Sequence, residues 1–234
     1  MSQTQFADNL AVIKQNMIDC AARSGRDEKD IQLIVVSKTR SLEEVKAVAA
    51  LGQRCFGENT IQDAMTKIPY FNGTDIEWHF IGHLQSKKAG KIPGFFQWIH
   101  SVDSIRLAEK LSSAMTNKAK NSVLNCLVQV NVSGEDSKSG LKPDDIDGFL
   151  QQVQQLDLPC LRWRGLMTIG VRGNEAQTRE AFARLRVMLE RSAERSGLDD
   201  FNQLSMGMSA DYCSAIEEGA TMIRLGTSIF GPRE

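Results

Sequence analysis

Short apolar runs alternate along this chain with stretches whose apolar residues recur every three or four positions. The runs are IQLIVVS (31–37), RCFGE (54–58), IEWHFIG (76–82), FQWIHSV (96–102), VLNCLVQVNV (123–132), LRWRGLMTI (161–169), NQLSMG (202–207) and TMIRLG (221–226). Each predicts a strand. The stretches between them, 41–52, 59–68, 104–118, 143–156, 174–197 and 209–220, predict helices, with 84–91 (LQSKKAGK) the weakest. Ser41, Asn59 and Ser104 stand where N-caps belong, and Ser209 opens the last helix in the same way. Ahead of the first run, Phe6, Leu10, Ile13, Met17 and Cys20 share one face of a helix over 4–24, with Gly25 at its C-cap.

Strands that alternate with helices pair in parallel through right-handed crossovers. Eight such units fit a single (β/α)8 barrel of the TIM type, whose usual length is ~250 residues. The extra N-terminal helix is expected outside the barrel or across its end. An open doubly wound sheet is the runner-up, but the position of its GxGxxG loop reads SKTRSL. One domain over residues 1–234 is expected.

Hydrophobic residues make up 41% of the chain and the net charge is −1, so no global field attracts nucleic acid or an anionic membrane. No apolar stretch approaches the ~20 residues of a membrane span, and the polar N-terminus lacks a signal-peptide core. Lys87, Lys88 and Lys91 form a short basic run without interleaved aromatics, which predicts a solvated face. Cys20, Cys55, Cys126, Cys160 and Cys213 are isolated and odd in number, which predicts reduced thiols in a cytoplasmic protein, with no disulfide framework and no metal site. His79 and His83 straddle a strand end, where they make a poor metal pair.

Barrel sites form where the strands end, and phosphate sites favour the loops after the seventh and eighth. Gly226-Thr227-Ser228 offers close backbone approach and two hydroxyls, and Ser209 a further hydroxyl beside a helix start. Lys38 ends the first run. It is either a solvated strand end or an amine desolvated by Val35 and Val36 to attack a carbonyl. An amine facing a phosphate cradle suits pyridoxal phosphate, and equally a Schiff-base aldolase acting on a sugar phosphate. Arg224 shares the inward or outward sense of Gly226. A buried guanidinium needs a partner, either a pyridine nitrogen or a carboxylate such as Glu217 or Glu218.

The motifs VSKT, FGEN, WHFIGHLQSKK, NVSGEDSKSG, GLMTIG, LSMGMSADY and RLGTSIFG occur in this order. Together they resemble the pyridoxal phosphate homeostasis proteins, which are similar in fold to the N-terminal barrel of alanine racemases. The resemblance covers residues 4–232. It implies that pyridoxal 5′-phosphate is held as a Schiff base on Lys38, that Ser209, Gly226 and Thr227 contact its phosphate, and that Arg224 meets its pyridine nitrogen. Asn59 and Met208 are implied to line the pocket. A non-enzymatic role follows, supplying the cofactor to apoenzymes from a monomer or weak dimer. The alternative is an amino-acid racemase, which needs a second acid/base; Tyr212, in the helix after Ser209, is the nearest candidate.

Overall fold

The computed structural model describes residues 2–135, 138–171, 173–198 and 200–232. Asp136 and Ser137, within the NVSGEDSKSG segment, lie outside the described residues. All eight runs form strands: β1 (Gln32–Val36), β2 (Cys55–Glu58), β3 (Glu77–Phe80), β4 (Trp98–Val102), β5 (Leu124–Gln129), β6 (Leu161–Met167), β7 (Gln203–Ser205) and β8 (Met222–Leu225). Each pairs in parallel with the next, and β8 pairs back onto β1 through the register Gln32↔Met222 to Val35↔Leu225, closing the barrel. The helices are α1 (Gln3–Arg23), α2 (Leu42–Ala50), α3 (Ile61–Met65), α4 (Ile105–Lys118), α5 (Ile146–Gln155), α6 (Glu175–Ser196), α7 (Tyr212–Glu217) and α8 (Thr227–Phe230). The weak stretch after β3 becomes a 3-10 segment, Ser86–Lys91. No helix among the described residues is long and apolar enough to cross a membrane.

Alternation along the strands sorts side chains into two cores. Ile34, Trp98, Leu127, Met167 and Met222 come from five strands and pack on one another inside the barrel. Val35, Phe56, Trp78, Phe80, Ile99 and Leu225 join the helices in the larger outer core. Ser41 caps α2 in a reciprocal box with Glu44, and Ser104 caps α4, as the sequence predicts. Asn59 does not cap α3: the adjacent Thr60 does, its hydroxyl accepting from the Asp63 amide. Gly82 explains what becomes of Asn59. A Cβ at Gly82 would lie 1.9 Å from the Asn59 carbonyl oxygen, so only glycine lets the chain leaving β3 cross there.

The α1 helix lies outside the barrel against α2, α7 and α8. Phe6 meets Phe230 edge-on at 5.6 Å, the Asn9 amide donates to the Ile229 carbonyl, and Arg23 pairs with Glu217 at 2.8 Å. This docking corrects the expectation of five separate thiols. With α1 and α7 side by side, Cys20 and Cys213, 193 residues apart, reach a Cα–Cα distance of 5.5 Å and are joined as a disulfide. Cys55, Cys126 and Cys160 remain thiols.

Candidate functional site

Lys38 follows β1 at the barrel mouth, and the chain on both sides of it is clamped. Lys67, 1% exposed, donates to the Ser37 carbonyl oxygen, to Glu58 Oε1 and to Asp63 Oδ1, each at 2.8 Å. Its ammonium has three N–H groups, and all three are used. The Ser37 hydroxyl donates to the same Glu58 oxygen at 2.7 Å, and the Thr39 amide donates to Asp63 Oδ2 at 2.7 Å. Thr39 is held at φ 64°, a left-handed conformation that costs a β-branched residue energy. Glu58 is fully buried, and its Oε2 has no hydrogen-bond partner among the described residues. Burial outweighs the pull of Lys67 and Ser37 and pushes its carboxyl up to about 7. Lys38 itself is half-buried.

Across the mouth, Gly207 turns the chain after β7 at φ 93°, where a Cβ would come within 2.6 Å of the Ala215 Cβ. The turn presents Met208 and Ser209, and Asp211 fixes it by accepting from the Met208 amide at 2.6 Å. The Ser209 hydroxyl accepts from the Ser228 amide at 3.4 Å, so the loops after β7 and β8 face each other. Ser209 is therefore not the helix cap expected from sequence; α7 starts later, with Asp211 at its N-cap. Gly226 lies against the end of β1, where a Cβ would sit 3.1 Å from the Val36 carbonyl oxygen. Barrel closure thus places this cradle beside the strand that carries Lys38.

Arg224 points inward from β8 and is 6% exposed. Its Nη1 donates to the Ser205 hydroxyl oxygen at 2.6 Å and its Nη2 to the Thr168 carbonyl oxygen at 2.9 Å. Burial pulls the guanidinium down to about 10, so it stays charged at neutral pH. The carboxylate pairing with Glu217 or Glu218 does not form. Both acids lie on the outer face, Glu217 with Arg23 and Arg179 and Glu218 with Arg179 and Arg186. Below Arg224 a polar column descends the barrel axis. Ser205 Oγ lies 2.8 Å from His100 Nδ1, and His100 Nε2 lies 3.0 Å from His79 Nδ1. Complete burial lowers both imidazoles from their usual range, His100 the further because His79 and Arg224 add repulsion. The column is neutral at pH 7.

One cavity of about 320 Å³ joins these parts, and Lys38, Asn59, Met208, Ser209, Arg224, Gly226 and Thr227 all line it. Val36, Arg40, Ile81, Met167 and Ile169 complete its wall. Val35 does not, because it faces the helices. Tyr212 also turns away: its hydroxyl accepts from the Asn16 amide of α1 at 2.9 Å. His79 and His83 form no pair, since His83 is exposed and sits 3.8 Å from Asp103. Sequence reasoning missed the Glu58–Lys67–Asp63 clamp and the histidine column. The spacing of Asp63 and Lys67, four residues apart, was the available signal for the first. The inward parity of His79, His100 and Ser205 was the signal for the second.

The family model described as alanine racemase, N-terminal domain, matches residues 9–234. A pyridoxal phosphate homeostasis protein of Pseudomonas aeruginosa is 44% identical over 98% of this chain and 96% of its own. The structure of PipY from Synechococcus elongatus with pyridoxal phosphate bound is 35% identical, with a TM-score of 0.82, covering 97% of this chain and all of PipY. An alanine racemase from Corynebacterium glutamicum shares the fold alone, at 16% identity and a TM-score of 0.71; this chain covers 61% of it.

The clamp makes a measurable prediction. Replacing Lys67 with Met leaves Glu58 buried without its cation, and urea unfolding at pH 8 should show a loss of about 3–5 kcal/mol. Because the folded state raises the Glu58 pKa, wild-type stability from this group falls as pH rises from about 4.5 to about 7. The penalty of Lys67→Met should shrink as pH is lowered through about 7, since a protonated Glu58 needs no counter-charge. A penalty independent of pH would show that Glu58 is not the group left exposed to the loss.

Proposed function

The chain belongs to the pyridoxal phosphate homeostasis proteins, built on the alanine racemase N-terminal barrel, and from that membership we propose that it binds pyridoxal 5′-phosphate at the barrel mouth and carries it without turning over a substrate. The observation that carries this reading is the convergence of Lys38, the Ser209 and Gly226–Thr227 loops, and Arg224 on one cavity.

The residues fit the group. A cavity of about 320 Å³ falls at the small end of ligand sites, and Val36, Ile81 and Met167 give it apolar walls for a ring. Ser209, Gly226 and Thr227 would hold the phosphate through hydroxyls and backbone at close approach. When bound, the group supplies an aldehyde, with which Lys38 would form the Schiff base expected from the sequence. Arg224 would meet the ring nitrogen. A guanidinium donates and never accepts, so it would hold that nitrogen unprotonated and leave the ring a weak electron sink. Racemisation also asks for a second acid/base on the opposite face of the substrate carbon. Tyr212 is engaged by Asn16, and Tyr70, 65% exposed, stands beside Lys46 on the outer surface. Neither lines the cavity, and both facts support carriage over turnover. The recipients we infer are apoenzymes that use the same cofactor.

The purified chain should be yellow, and borohydride should fix the label on the peptide containing Lys38. Lys38→Ala should abolish that label, and a label on another lysine would overturn the assignment. The protein loaded with cofactor should activate an apoenzyme faster than free cofactor supplied at the same free concentration; equal rates would remove the carrier role. Arg224→Ala should weaken retention in equilibrium dialysis by about tenfold to a hundredfold, the size of one charged hydrogen bond. Unchanged retention would take Arg224 out of the cofactor site.

A further inference from the structure

The opposite end of the barrel carries a second cluster with its own chemistry. Cys55 opens β2 and Glu77 opens β3, and the two are register partners on adjacent strands. Strand alternation puts His79 two residues further up on the same inward face. Cys55 Sγ lies 3.9 Å from Glu77 Oε2, and His79 Nε2 lies 3.5 Å from the same oxygen. All three donor atoms fall within 4.8 Å of one another. The imidazole is fully buried, yet its Nε2 has no hydrogen-bond partner among the described residues and is aimed into this cluster. An orphaned ring nitrogen in a barrel core costs free energy unless something meets it.

We propose that this floor binds one zinc-class divalent ion through Cys55 Sγ, Glu77 Oε2 and His79 Nε2. Tetrahedral zinc with bonds of about 2.0–2.3 Å separates neighbouring donors by about 3.3–3.5 Å. The two pairs that share Glu77 Oε2, at 3.5 and 3.9 Å, are within a few tenths of an ångström of that, and the Cys55–His79 pair, within 4.8 Å, closes by rotation of the half-exposed Cys55 side chain. A thiolate and a carboxylate balance the ion's charge, and a thiolate with an imidazole selects zinc over magnesium or calcium, which take oxygen donors. Cys55 and Glu77 are half-exposed, which gives an ion a way in.

Each donor also has a group that orients it, as metal ligands do. The Trp98 indole N–H donates to Glu77 Oε1 at 2.8 Å, and the Gln32 amide donates to Cys55 Sγ at 2.9 Å. His79 Nδ1 faces His100 Nε2. With the histidine column polarised so that His79 Nδ1–H donates to His100, and His100 Nδ1–H to Ser205, His79 Nε2 carries a lone pair directed at the floor. Ser205 still accepts from Arg224 in that polarity. The ion therefore asks for one of the two neutral arrangements that the column already permits.

The test uses the full chain, stripped with chelator and reduced. Incubation with Zn²⁺ and desalting should leave one equivalent by elemental analysis, undisplaced by millimolar Mg²⁺. Co²⁺ should give a thiolate-to-cobalt charge-transfer band. Cys55→Ser should abolish the band and weaken zinc by about a hundredfold, and Glu77→Gln by about tenfold or more. Cys160→Ser, on the outer surface, should change neither. Circular dichroism establishes that each variant is folded, and the cobalt band on the unaltered chain needs no variant at all. No retained zinc and no band in the wild type, or zinc held equally by Cys55→Ser, would overturn the proposal.

Discussion

A buried ammonium sets the geometry on which the mouth of this barrel depends. Lys67 has three protons and spends them on one backbone carbonyl and two carboxylates. The carbonyl belongs to Ser37, directly before Lys38, and one of the carboxylates holds the amide of Thr39, directly after it. Lys38 is thus suspended between two fixed main-chain points, one of them a strained left-handed threonine. Hydrophobic burial closes the barrel but is non-directional; it cannot aim one amine. The clamp fixes the main chain on either side of Lys38 from the outer face of the strands, where α3 packs, and leaves the inner face to the cavity. The desolvation cost shows in Glu58, whose carboxyl is driven up despite its cation.

Inward and outward sense along each strand divides the chemistry. On β8, Met222 and Arg224 point in while Ile223 and Leu225 point out; on β2, Cys55 points in while Phe56 points out. Beside the apolar residues of the interior runs one file of polar groups, Ser205, His100 and His79, linked by hydrogen bonds. Complete burial keeps both imidazoles neutral. Arg224 is then the charged end of a neutral file, and its charge faces the cavity rather than being cancelled from below. A carboxylate at the position of Ser205 would have quenched it.

That sorting explains what could be read from residues alone. Barrel sites form at strand ends, so Lys38 and Gly226 could be placed at one mouth from the sequence, and strand parity gives Arg224 the same sense as Gly226. Closure then brought all seven expected residues to one cavity. The failures are of another kind. Ser209 looked like a cap because serine before a helical pattern usually is one; the chain instead makes a turn on Asp211 and starts α7 later. Asn59 looked like a cap for the same reason, and Thr60 took the role. Of the two partners open to Arg224, the carboxylate one falls away only in three dimensions, because distance along the chain hides that Glu217 and Glu218 face outward. The Cys20–Cys213 pair and the contact of Glu58 with Lys67 depend on how helices dock on the outside, and no periodicity reports that.

The same sorting bears on whether the barrel would hold its cofactor to use it or to give it up. An enzyme of this chemistry excludes water and brings acid and base to both faces of a bound substrate. Here the bonds that fix the chain on either side of Lys38 lie behind the strand, and Arg224 is held by Ser205 and Thr168, so these contacts are made by the protein itself. A pocket prepared in this way binds with little ordering cost and needs no closing element to become complete. On the proposed reading, affinity would rest on the amine, the phosphate loops and one guanidinium, which line the same cavity. Such an arrangement would suit the proposed loading and unloading, because the clamp stands outside the barrel and leaves the cavity to the cargo.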